Sequence, residues 1–410
     1  MLPNLWKYEI SRGRAYALVT GVIGLALFAS ATPSPLYGTY RTLWGFSPAV
    51  LTLIYATYAF GVLASLLLAG RLSDEVGRRP VLVVSLSTLL ATSVLFIAAD
   101  SVAWLFVARG LQGLATGLAL GAASAAMLDL HARRDPAGVG LANGVVSAAG
   151  MGLGVLVASA LVEWLPAPRV LPYVVLFALF AVALAGALLM PEPVQERSKA
   201  KLTPQRPHVP AAVRRPFLLA ALAVASSWSI GGLFLALGPQ LTATIFDSRD
   251  HLVAGLGAFV LAGSGAVAQL LVGGRMAPWR GATFGSLALA AGVLAIVGAA
   301  STGSGVLLLG GAVVGGAGFG LAFLGALRAL SGAIPPQHRA EVMSAFYVVA
   351  YAAISLPAVA AGLLVPSMGL ESAFELFGSL AAALALVVAL EAWRTRPRPV
   401  PLRAPAHSPA

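Results

Sequence analysis

The sequence has no cysteine and very little charge: Asp, Glu, Lys and Arg together make up 10% of its 410 residues. The first absence removes disulfide frameworks and thiolate metal sites. The second sets the chain apart from soluble domains, in which about 25% of residues are charged. Lysine occurs only as Lys7, Lys199 and Lys201, none in the Gly-Lys-Ser/Thr setting of a phosphate-binding loop. The histidines (His131, His208, His251, His338, His407) lack metal-ligand spacing, and neither G-x-S-x-G nor G-x-G-x-x-G occurs. The sequence therefore offers no enzyme constellation, no metal site and no cofactor site.

What is present is apolar. Apolar residues reach 59%, more than a water-soluble fold of this length can hide. Each crossing of a bilayer takes about 20 residues of helix. The apolar runs predict an all-α polytopic membrane protein with twelve spans, near 15–38, 48–70, 81–99, 102–128, 138–162, 170–190, 216–241, 252–273, 282–300, 304–328, 341–365 and 372–393. A bilayer is thus the expected surrounding.

The formal net charge of +11 raises nucleic acid as a partner, and the placement of the charges argues against it. With the N-terminus in the cytoplasm, 22 of the 26 Lys and Arg residues fall on the cytoplasmic side. Arg41, Arg169 and Arg249 fall outside, and Arg109 lies within a span. This asymmetry obeys the positive-inside rule and predicts both termini in the cytoplasm of a cell with a cytoplasmic (inner) membrane.

Internal similarity divides the chain. Gly113-Leu114-Ala115-Thr116-Gly117-Leu118-Ala119 matches Gly316-Ala317-Gly318-Phe319-Gly320-Leu321-Ala322, and Gly70-Arg71 matches Gly274-Arg275. The offset lays the seventh span on the first, so the first span is expected to remain rather than to be cleaved as a signal peptide, despite its Ala29-Ser30-Ala31 ending. The expected division is a six-helix bundle over 1–190, a solvated cytoplasmic linker over 191–215, a second six-helix bundle over 216–393 and a disordered tail over 394–410. Parallel repeats of this kind rock about a site near the bilayer midplane.

The charge that does exist is concentrated in Gly70-Arg71-Leu72-Ser73-Asp74-Glu75-Val76-Gly77-Arg78-Arg79-Pro80. This segment resembles the loop between the second and third helices of the major facilitator superfamily, although that family usually has a basic residue where Glu75 stands. Arg109-Gly110-Leu111-Gln112-Gly113 is similar to the family's Arg-x-x-Gln-Gly pattern in the fourth helix. The resemblance covers nearly the whole chain and implies two pseudo-symmetric bundles and secondary transport by alternating access, in the manner of a drug/proton antiporter. It also implies a conformational switch at Gly70, Asp74, Gly77, Arg78 and Arg79, with Asp74 near the start of the eleventh helix. The family's Gly-Pro-x-x-Gly kink is incomplete: Gly150 and Gly154 are kept, but Met151 replaces the proline.

An arginine within a span costs about 2.5–3.5 kcal/mol on insertion scales and is expected to serve a function. Arg109 shares a helix face with Gln112, and its counterpart in the second half is Ala312. The candidate cavity residues are Arg109, Gln112, Phe28, Thr32, Tyr55, Tyr58, Asn143, Trp228, Gln240, Gln269, Phe319, Phe323, Tyr347 and Tyr351. Tyr37 and Trp44 are expected at the lipid interface. Gly113, Gly117, Gly150, Gly154, Gly316 and Gly320 are expected at close helix crossings. No carboxylate sits at mid-depth in any span, so proton coupling would rest on Asp74 or on Asp129. A monomeric exporter of a small, partly apolar molecule is the expectation. An importer or facilitator of a neutral metabolite such as a sugar is the alternative within transport, and a non-transporting receptor or scaffold the alternative outside it.

Overall fold

The computed structural model describes residues 9–194, 198, 204 and 206–396. Among these residues every regular element is helical. The helices are α1 (Arg12–Ala31), α2 (Tyr37–Trp44), α3 (Pro48–Ala69), α4 (Leu72–Val76), α5 (Arg78–Ala98), α6 (Val102–Leu130), α7 (Pro136–Trp164) and α8 (Leu171–Leu188). They continue with α9 (Arg214–Ala236), α10 (Gly238–Ile245), α11 (His251–Ala268), α12 (Pro278–Thr302), α13 (Gly305–Ala333), α14 (Arg339–Met368) and α15 (Leu370–Arg394). Twelve spans among the described residues are long and apolar enough to cross a membrane, with α1 and α2 forming a single one.

Local sequence sets the helix starts. Ser47, Asp135, Asp250 and Ser304 each accept backbone N–H groups of the following turn, and Pro48 and Pro136 occupy the first helical position, where a missing N–H costs nothing. Gly45 and Gly303 end α2 and α12 in the left-handed region, at φ 64° and 67°.

The helices form two bundles whose contacts correspond pair by pair. α1 packs on α6, α7 and α8, and its repeat α9 packs on α13, α14 and α15. α3 meets α6 as α11 meets α13, and α5 meets α6 and α8 as α12 meets α13 and α15. The bundles join through α3 against α14 and α7 against α11. Since lipid tails are as apolar as leucine, small residues that admit close backbones hold such bundles together. α12 and α13 illustrate this: a Cβ added at Gly292 would lie 2.0 Å from the Gly315 nitrogen, and one at Gly318 would lie 2.1 Å from the Leu289 nitrogen.

The loop of residues 70–80 marks one side of the protein, here called the basic face, and α2 and α10 lie on the opposite face. The 191–215 segment is described only in part, and positions 397–410 of the expected tail lie outside the described residues, as do Lys7, Lys199 and Lys201.

Candidate functional site

The first span is not one helix. Thr-Pro-Ser-Pro follows α1, and Pro33 and Pro35 carry no N–H. In a continuous helix residue 33 would donate to the Ala29 carbonyl, so proline there leaves that carbonyl without its helical partner. Two side chains of α6 reach across. Gln112 Nε2 donates to the Ala29 oxygen at 3.0 Å, and Arg109 Nη1 donates to the Ser30 oxygen at 3.0 Å and to Gln112 Oε1 at 2.6 Å. Arg109 thus sits at the C-terminus of α1, where the helix dipole favours a cation. Its guanidinium lies over the Tyr58 ring, 4.4 Å from the centroid, with Tyr55 at 5.8 Å. Both Arg109 and Gln112 are 1% exposed, so in this state of the molecule neither opens to solvent.

Beyond the break, the chain closes the opposite face. Ser34 Oγ donates to the Leu235 oxygen at 2.5 Å, linking the first span to the seventh. Arg41 Nη1 meets Gln240 Oε1 at 3.5 Å, and Glu163 Oε2 accepts from the His251 backbone N–H at 2.9 Å and meets its ring Nδ1 at 3.1 Å. All four contacts cross between the bundles. Gln240 is therefore an exposed residue of α10 and not a cavity residue, because Gly238 and Pro239 end the seventh span before it. Tyr37 is 3% exposed and packs inside rather than meeting lipid at the interface. Trp44 is half-buried and stacks on Tyr40.

Deeper in, aromatic and polar side chains gather between the bundles. Trp228 meets Phe323 at 5.7 Å and, edge-on, Tyr351 at 5.4 Å, while Tyr347 packs on Phe346. Tyr58 and Tyr351 share an apolar cluster with Trp228 and Tyr347, so the Arg109 cation–π contact leads directly to the inter-bundle seam. Phe319 stands against Gly231. Asn143 donates to Ser124 Oγ at 2.8 Å and accepts from Ser147 Oγ at 3.2 Å. Gln269 is wedged between Gly144 and Gly320 at the α7–α11–α13 junction, 2% exposed, its Oε1 without a hydrogen-bond partner. Thr32 is buried and returns its hydroxyl to the Phe28 carbonyl, and Phe28 helps line an apolar groove of about 630 Å³ between α1 and α7.

On the basic face Arg78 is the hub. Its Nε donates to Asp129 Oδ2 at 3.0 Å, and its Nη1 donates to Ser73 Oγ at 2.8 Å and to the Asp74 carboxylate. Asp74, with its side chain 57% exposed, thus pairs within its own loop. Arg12 secures the same corner by donating to the Asp129 carbonyl. Glu192 carries a role that the sequence did not disclose. Its carboxylate accepts from the backbone N–H groups of Arg78 and Arg79 at 2.9 Å each, capping α5 from the linker. Gly77, at φ 108°, leaves room for it, since a Cβ there would lie 2.5 Å from Glu192 Oε2. Gly70 ends α3 in ordinary helical geometry, and Arg79 donates to the Leu188 carbonyl.

The six packing glycines lie at helix crossings. A Cβ at Gly113 would come within 2.2 Å of the Tyr58 oxygen, at Gly150 within 2.2 Å of the Gly24 oxygen and at Gly154 within 2.3 Å of the Phe28 oxygen. At Gly117, Gly316 and Gly320 the nearest atoms would be 2.8, 2.0 and 2.6 Å away. Among the described residues no cluster of three or more His, Cys, Asp or Glu side chains is placed to hold a metal.

Solved structures share this architecture. The crystal structure of the human organic anion transporter MFSD10 (TETRAN) superposes with a TM-score of 0.67 at 18% identity, covering 94% of this chain and 100% of that one. A bacterial homolog of the human lysosomal transporter Spinster, in an inward-facing and unoccupied conformation, superposes with a TM-score of 0.72 at 16% identity, covering 95% and 99%. No curated protein matches the sequence. The family profile of the Major Facilitator Superfamily matches residues 19–358, and with twelve spans in two equivalent bundles the chain belongs to that superfamily of secondary transporters.

Proposed function

We propose that this transporter exports a small, partly apolar molecule across the cytoplasmic membrane in exchange for protons, as a monomer, with the basic face in the cytoplasm. The observation that carries the reading is the closure on the opposite face, where the broken first span bonds to the seventh through Ser34 and Leu235. A helix with a fixed break is a natural gate: α1 stays clasped to α6 by Arg109 and Gln112 while its outer continuation meets or leaves the other bundle. The structural likeness to an inward-facing relative supports the same state here. The Trp228, Phe323 and Tyr351 cluster, with the Tyr58 and Tyr347 hydroxyls near it, supplies apolar walls with a few polar groups, the usual make-up of a small-molecule site.

Proton exchange is assigned to the Asp74, Arg78 and Asp129 corner. Every acidic residue of the described spans stands within about two turns of a helix end, which favours a second reading, uncoupled facilitation. A pH gradient imposed on vesicles separates the two, since only exchange responds to its direction. The gate is tested by cross-linking. The chain has no cysteine, so Glu163→Cys with His251→Cys introduces a unique pair across the closure. A thiol cross-link should stop transport and reduction should restore it. Full transport by the cross-linked protein would remove the gate reading.

A further inference from the structure

The N–H groups of a guanidinium form a rigid fork, and only part of the Arg109 fork is used. Nη1 serves the Ser30 carbonyl and Gln112 Oε1. Nε and Nη2 meet no acceptor among the described residues, although Arg109 is 1% exposed. These two nitrogens border the same edge of the guanidinium, where their N–H bonds run parallel. That edge is the one a carboxylate takes with both oxygens at once. Among the described residues no acidic side chain forms an ion pair with Arg109. Its charge is met by a helix C-terminus and by the Tyr58 face, and neither supplies a full negative charge.

The surroundings narrow the ligand further. The Tyr58 and Tyr55 rings stand against the guanidinium, so the surroundings of the fork are aromatic. The hydroxyl of Tyr37, in the neighbouring segment that continues the first span, is also buried without a partner. Such a site is built for a planar oxyanion with an apolar body. A bare halide matches the charge but offers no second oxygen to the parallel N–H pair.

We propose that the Nε–Nη2 edge of Arg109 docks the carboxylate of a partly apolar organic monoanion, and that such carboxylates are the transported class. The inference rests on the transport reading above and names its substrate. The Ser34–Leu235 closure lies between this site and the opposite face, so the carboxylate reaches or leaves the fork on that side as the closure opens.

The test uses the full chain in lipid nanodiscs and follows thermal unfolding with benzoate, octanoate, methyl benzoate and sodium chloride at matched ionic strength. Benzoate or octanoate should raise the midpoint in a saturable manner, whereas methyl benzoate and chloride should not. Arg109→Lys keeps the charge and a donor to the Ser30 carbonyl but loses the parallel pair. It should weaken carboxylate affinity by about tenfold or more. Equal stabilisation by chloride or methyl benzoate overturns the proposal, as does an undiminished carboxylate response in Arg109→Lys. Should that variant fail to fold, equilibrium binding of radiolabelled benzoate and octanoate to the unaltered chain decides. One saturable site competed by other carboxylates but not by chloride supports the proposal, and binding of neither probe overturns it. That last outcome, alongside a cross-link that still stops transport, leaves the gate reading intact and removes only the substrate class.

Discussion

Gln112 offers the sharpest test of how the first span is held, because the Ala29 carbonyl it serves lacks a helical donor only through Pro33, just beyond the end of α1. Gln112→Leu deletes the donor to the Ala29 oxygen and the acceptor for Arg109 Nη1, both buried. Side-chain hydrogen bonds between membrane helices average about 0.6 kcal/mol and reach about 1.7, and leaving a buried carbonyl unpaired adds to that. The expected cost is about 1–3 kcal/mol. The cause is checked by a second substitution. Residue 33 has φ −71° and ψ −15°, helical values that alanine adopts freely, so Pro33→Ala supplies an N–H directed at the Ala29 oxygen. In that background Gln112→Leu should cost about 1 kcal/mol less, a coupling readable in a double-mutant cycle. Equilibrium unfolding in mixed detergent micelles, followed by tryptophan fluorescence, measures all four proteins. If the cost of Gln112→Leu agrees within about 0.5 kcal/mol in the two backgrounds, the break is not what Gln112 compensates.

Glu192→Ala should destabilise the start of α5 by about 0.5–2 kcal/mol, the usual worth of a helix N-cap, visible as faster amide exchange at Arg78 and Arg79 while the midpoint of α6 is unaffected. Gly150→Leu should prevent the α1–α7 crossing, because the added Cβ alone would lie 2.2 Å from the Gly24 backbone oxygen, and folded yield after detergent extraction reads it directly. Asp74→Asn should cost less than about 1 kcal/mol, as befits an exposed pair, while shifting the balance of access states seen by single-cysteine labelling from the two sides. Unchanged labelling would reject Asp74 as a switch residue.

Much of the fold was legible because a bilayer demands long apolar runs, and the expected spans agree with the helices to within a few residues at most ends. Several of the departures have physical causes. The third span was expected from residue 81 and begins at Arg78, since its cap comes from Glu192, far away in sequence. The eleventh was expected to end at 365 and runs to Met368 through Pro357 and Pro366, prolines that a membrane helix tolerates when neighbours satisfy the freed carbonyls. The first was read as continuous, although Pro33 and Pro35 are the signal for its break. In the candidate site, Arg109 and Gln112 stood out by residue type, yet periodicity states only which face they share and not whether that face meets a chamber or a helix end. Gln240 was misplaced because apolar character alone does not register the stop at Gly238-Pro239. The pairing of Glu163 with His251 went unforeseen, since a pair 88 residues apart leaves no local trace.

The position of Glu192 has a practical consequence for dissecting the molecule. By sequence it belongs to the connector, but by contact it belongs to the first bundle, where it also accepts from its own Val194 N–H and settles into the space left by Gly77. A gene split for fragment complementation therefore has a correct and an incorrect cutting point only a few codons apart. Severed before Glu192, the amino-terminal fragment leaves the ribosome without the carboxylate that starts its own third crossing; severed after Val194, it keeps that carboxylate.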